Sequence, residues 1–198
     1  MGRGVCDNGA EPVEIKIGTC RVMLDFGFPA VLCIAFLWGD GMFLAQCMTV
    51  CIVHELGHGL AMWATHAGVR EIRFHAAGLQ MRTHTACLSK ASLLCIYLSG
   101  PAVNLVLSGL FRHVRPETAL LHLCMGCFNL LPYRVLDGGA ALGCLLEDCP
   151  RVKGVLHGVC ACLSVGIVLV LWQYGLRNPS LYLMAVYLGI AELIDKPV

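Results

Sequence analysis

His54, Glu55 and His58 are the residues of this chain whose types and spacing are best suited to chemistry. On a helix, positions four apart share a face, so His54 and His58 can aim two imidazoles at one metal ion. Glu55, beside the first, can then act as a base toward a water at that metal. The three lie in Met42 to Ala64, a stretch with no Lys, Arg or Asp and a single Glu. Helical rise makes that stretch about 34 Å long, enough to cross a bilayer. Ionisable side chains at such depth are costly and point to function.

A catalytic zinc takes three protein ligands and keeps one position open. Asp137 is the candidate third ligand: an acid in an apolar run, followed by Gly138 and Gly139, which let backbone approach closely. It could instead cap a helix or pair with Arg134. Cys47 and Cys51 share the helical face of the histidines and offer a thiolate alternative, but three ligands and an open position favour Asp137. Asn104 and Asn129 are neutral amides that could donate to a substrate carbonyl as it gains charge, or bond between helices. His66, His75, His84, His113, His122 and His157 have no second ligand at helical spacing, so solvent or core roles suffice for them.

Something must hold these groups at depth, and composition says what. The 198 residues are 58% hydrophobic and 14% charged, against about 25% charged in soluble domains. With a mean hydropathy of +0.74, much of the surface must face lipid, so the expected fold is all-α and polytopic. A net charge of +1 supplies no field for nucleic acid, and none is expected as a partner. The 13 cysteines fall mostly in apolar runs, among them Cys33, Cys47, Cys51, Cys95, Cys124, Cys127, Cys160 and Cys162, and read as small buried hydrophobes. Cys124 and Cys127 have CxxC spacing, but in a helical context. The first residues show no cleavable leader and no myristoylation signal.

Residues 1–21 form an N-terminal segment in which Val13 to Ile17 alternates as a strand or an interfacial piece. The rest, 22–198, is one domain with helices expected at about 22–38, 42–64, 87–111, 118–146, 155–174 and 180–194. Alternation around Ala76 to Gly78 predicts a small β-hairpin between helices two and three. The fourth run is interrupted by Asn129, Pro132, Arg134 and Asp137. Six helices put both termini on one side. That side carries Arg3, Lys16, Arg21, Arg70, Arg73, Arg82, Lys90, Arg151, Lys153 and Lys196, and the other only Arg112, Arg115 and Arg177. The bias makes the termini cytoplasmic. His58 and Asp137 then lie at similar depth, roughly 9 to 14 Å from the cytoplasmic ends.

Two motifs in this order carry a resemblance. His54-Glu55-Leu56-Gly57-His58, followed by Asn129-Leu130-Leu131-Pro132-Tyr133-Arg134-Val135-Leu136-Asp137-Gly138-Gly139, resembles the signatures of the site-2 protease family of intramembrane zinc metalloproteases. Ser99 to Asn104 resembles the intervening helix, and the sporulation stage IV FB-type members look most alike. The resemblance implies one Zn²⁺ per chain on His54, His58 and Asp137, Glu55 as base, and a hairpin near the substrate entrance. It further implies a membrane-associated or single-pass protein substrate, such as a pro-sigma factor or a membrane-held transcription regulator, and regulatory membrane proteins as partners. Val135 stands where relatives often have a second proline. Two rival readings share the fold: a metal transporter using the same ligands, and a non-catalytic membrane partner.

Overall fold

The structure is a computed structural model, and it describes residues 13–17, 20–24, 40–75, 78–83, 88–175 and 179–193. Most of these are helical, and the chain divides into two compact units, Met1–Leu88 and Ser89–Val198.

The first unit combines a four-stranded sheet with one long helix. Strands β1 (Val13–Ile17), β2 (Cys20–Leu24), β3 (Val69–His75) and β4 (Gly78–Thr83) lie side by side in chain order. The pairs β1–β2 and β3–β4 are antiparallel, whereas β2 and β3 run parallel in a register that sets Arg21 opposite Glu71. Parallel neighbours need a long crossover between them. Helix α1 (Gly41–Ala64), which carries His54, Glu55 and His58, lies within that crossover and touches β4.

Two expectations meet this sheet. Val13 to Ile17 is a strand, paired with β2. Val22 to Leu24, expected to open the first helix, is strand as well. A short apolar run does not distinguish strand from buried helix by periodicity, and here partners on both sides of β2 decide it. The remainder of that expected helix, 25–38, lies outside the described residues.

Helix α1 begins where the Asp40 carboxylate accepts the Met42 backbone N–H at 2.9 Å, filling one of the donors a helix start leaves open. Its end is closed by Thr65, whose hydroxyl donates to the Ala61 carbonyl at 2.7 Å. Val50, His54, Gly57, His58, Ala61 and Met62 make the buried stripe. The outer face is Ile52, Leu56, Leu60 and Trp63, 53 to 76% exposed. Large apolar groups outside and histidines inside reverse the pattern of a soluble helix.

The second unit is helical: α2 (Lys90–Phe111), α3 (Pro116–Asn129), α4 (Asp137–Leu145), α5 (Pro150–Gln173) and α6 (Pro179–Leu193). Helix α2 packs on α3 and α4, and α5 on α6. Small surfaces bring α2 and α3 together, since a Cβ on Gly126 would stand 3.1 Å from Leu105 and 3.2 Å from the Pro101 carbonyl. The expected 118–146 helix is broken: α3 stops at Asn129 and α4 starts at Asp137. Pro132 cannot donate into a helical ladder, and the turn it occupies is needed for α4 to fold back.

Among the described residues, α2 and α5 are long and apolar enough to cross a membrane. On α5 the outward residues include Val155, Val159, Leu163 and Leu169, while Cys160 and Ser164 face inward. The cysteine expectation is corrected here. Cys160 is buried, but Cys95, Cys124, Cys127 and Cys162 are exposed, and Cys47 and Cys51 half-buried. A thiol is apolar enough to face hydrocarbon, so an apolar run alone does not imply an interior position. Cys33 lies outside the described residues.

Candidate metal centre and active site

His54 and His58 are 3% and 7% exposed, and their Nε2 atoms lie 3.2 Å apart. The rings meet edge to face at 83°, with centroids 4.8 Å apart. Consecutive turns of α1 thus converge two nitrogens on one point. Zinc–nitrogen bonds of about 2.0–2.1 Å meeting near the tetrahedral angle separate two ligand nitrogens by about 3.3 Å. The separation of the pair therefore suits two ligands of one metal. Glu55 is half-buried on the next position of the same helix, and Cys51 lies one turn before it.

In the second unit, Asp137 is the first residue of α4, after Leu136 at the N-cap. The two glycines after it have a steric reason. A Cβ on Gly138 would overlap the Leu130 carbonyl, and one on Gly139 the Tyr133 carbonyl. Helix α4 thus starts directly against the 130–136 turn, and Asp137 moves with that turn.

The two amides part ways. Asn104 is fully buried on α2, with its Oδ1 3.0 Å from His122 Nδ1 on α3. Asn129 is half-buried at the end of α3 and donates from Nδ2 to the Met125 carbonyl at 3.0 Å. Asn104 therefore ties two helices together, and His122 has a core role. An amide nitrogen carries two hydrogens, so Asn129 keeps donor capacity beyond its own helix.

Sequence reasoning missed Glu192, and gave His157 only a solvent or core role. Glu192 on α6 accepts the Arg134 backbone N–H on Oε1 at 2.5 Å and approaches His157 Nδ1 with Oε2 at 2.5 Å. Both are ionisable residues in apolar helices, which was the available signal.

Compared with known proteins, the chain matches no protein-family model and no curated protein. Among solved structures it superposes on a site-2 protease from Methanocaldococcus jannaschii with a TM-score of 0.65, covering 94% of this chain and 96% of that one at 18% identity. The chain has the fold of a site-2 protease. At that identity the likeness is one of fold, and it extends over nearly the whole length of both chains. The apolar outer faces of α1 and α5 agree with membrane association.

Proposed function

We propose that this chain is an intramembrane zinc metalloprotease of the site-2 protease kind, hydrolysing a peptide bond in or near a membrane segment of a substrate protein. The observation that carries the reading is the buried His54–His58 pair, 3.2 Å between Nε2 atoms, on a helix whose outer face is apolar. Two further facts support it. His54, His58 and Asp137 are residue types that together could hold a metal ion. The fold is that of a protease over 94% of the chain.

His54, His58 and Asp137 would hold the zinc, an N₂O donor set of the kind catalytic zinc sites use. Zinc bound there supplies Lewis acidity toward a carbonyl and acidifies water. Glu55 takes a proton from the attacking water and delivers it to the leaving amine nitrogen, which lets a poor leaving group depart neutral. Asn129 donates its remaining amide hydrogen to the substrate carbonyl oxygen as charge develops there. Asn104, wholly enclosed, keeps α2 and α3 in register. The charge bias of the loops puts the site nearer the cytoplasmic side with both termini cytoplasmic, so water enters from that side. The FB-type motif resemblance favours a membrane-associated regulator or pro-sigma factor as substrate.

The test is the zinc content of the purified protein. Wild type is expected to carry one zinc per chain, and Asp137→Ala and His58→Ala to lose it. Wild type free of zinc after purification without chelator, or Asp137→Ala with undiminished affinity, contradicts the ligand set.

A further inference from the structure

Glu192 is 6% exposed, with a side chain fully out of solvent, near the end of an otherwise apolar helix. A carboxylate so enclosed is costly unless its oxygens are satisfied. Both are engaged, and by different elements: Oε1 accepts the Arg134 backbone N–H, and Oε2 faces His157 Nδ1 from α5. The second ring nitrogen of His157 is buried and has no hydrogen-bond partner among the described residues. Among the described residues, the imidazole is held by Glu192.

The position of Arg134 gives this contact its consequence. It lies in the 130–136 turn, three residues before Asp137, and that turn is pinned on three successive residues. The Cys160 thiol donates weakly to the Pro132 carbonyl at 3.5 Å. The Tyr133 and Ser164 hydroxyls share a hydrogen bond of 3.0 Å. Arg134 is held through its backbone N–H by the Glu192 carboxyl group. Because Gly138 and Gly139 seat α4 directly on the carbonyls of Leu130 and Tyr133, a shift of the turn is a shift of Asp137.

We infer that Glu192, oriented by His157, is a positioning residue: through the Arg134 amide it fixes the turn that sets the place of Asp137 in the metal centre. This rests on the proposed role of Asp137 as a ligand. Groups that orient a ligand from behind are worth about 10- to 100-fold in metal affinity. Glu192→Gln retains an acceptor for the Arg134 N–H, whereas Glu192→Leu removes it at similar volume.

The experiment titrates Co²⁺ into each full-length variant in detergent, recording affinity and the visible ligand-field spectrum beside the thermal unfolding curve. Glu192→Leu that unfolds cooperatively is expected to bind Co²⁺ at least about tenfold more weakly, with an altered spectrum, and Glu192→Gln to stay close to wild type. Where Glu192→Leu yields no folded protein, His157→Leu replaces it, which frees the carboxylate from its orienting partner, and the same change is expected. A folded variant with wild-type affinity and spectrum overturns the inference. Wild type that binds no Co²⁺ overturns the proposed metal centre instead, which separates the two failures.

Discussion

The Nε2 atoms of His54 and His58 stand 3.2 Å apart on one buried face of α1, with both rings hidden and apolar side chains outward. Two imidazole nitrogens so close can share one proton or hold one metal. In apolar surroundings the second use explains why both are kept. Replacing His54 with Ala is therefore expected to abolish stoichiometric zinc while leaving the helical circular dichroism spectrum unchanged. Retained zinc at wild-type affinity would place the metal elsewhere.

The glycines after Asp137 give a steric prediction. Gly139→Ala must push its methyl into the Tyr133 carbonyl, so the turn and α4 have to separate. Overpacking of this kind costs about 1–3 kcal/mol. Gly158→Ala on α5, with nothing within 4 Å, is the control and is expected to be neutral or slightly stabilising. Denaturant unfolding in mixed micelles compares the two, and equal stabilities would show that α4 does not sit so closely on the turn.

Asn104 and His122 are expected to act as a pair. Their 3.0 Å contact joins α2 to α3, and such intramembrane bonds are worth about 0.6 kcal/mol, at most about 1.7. A double-mutant cycle of Asn104→Leu and His122→Leu should return a coupling of that size. Zero coupling combined with a large loss of cleavage would restore Asn104 as a substrate contact.

The histidine pair could be read from the sequence, because its signal is local. A four-residue spacing reports a helical face, and an acid followed by two glycines reports a close backbone approach. The misread parts are set by partners distant in sequence. Val22 to Leu24 is a strand because β1 and β3 flank it. The 118–146 run breaks because α4 folds back onto the 130–136 turn. Cys124 and Cys127 are exposed because that side of α3 is uncovered. Glu192 and His157 are unremarkable alone and gain a role only where α5 and α6 meet the turn.

One pH effect follows from the Lys90–Asp148 contact at 2.8 Å, which joins the start of α2 to the loop between α4 and α5. The hydrogen bond from the Lys90 ammonium, and then its charge, hold the Asp148 carboxyl below its ordinary value. A depressed carboxyl stabilises the fold above its unfolded pKa, and that contribution is lost as pH falls through the folded pKa. The small stability difference between wild type and Lys90→Met should therefore be present at neutral pH and vanish on acidification below the ordinary carboxylate value of 3.8. A difference that persists there would assign it to packing instead.

The most direct measurement of the central claim joins catalysis to metal in one variant. Glu55→Gln removes the proton acceptor and leaves His54, His58 and Asp137 in place. It is co-expressed with membrane-tethered candidate substrates beside wild type, and zinc content is measured on both. The account predicts cleavage by wild type, none by Glu55→Gln, and equal zinc in the two. Cleavage by Glu55→Gln at the wild-type rate would contradict it.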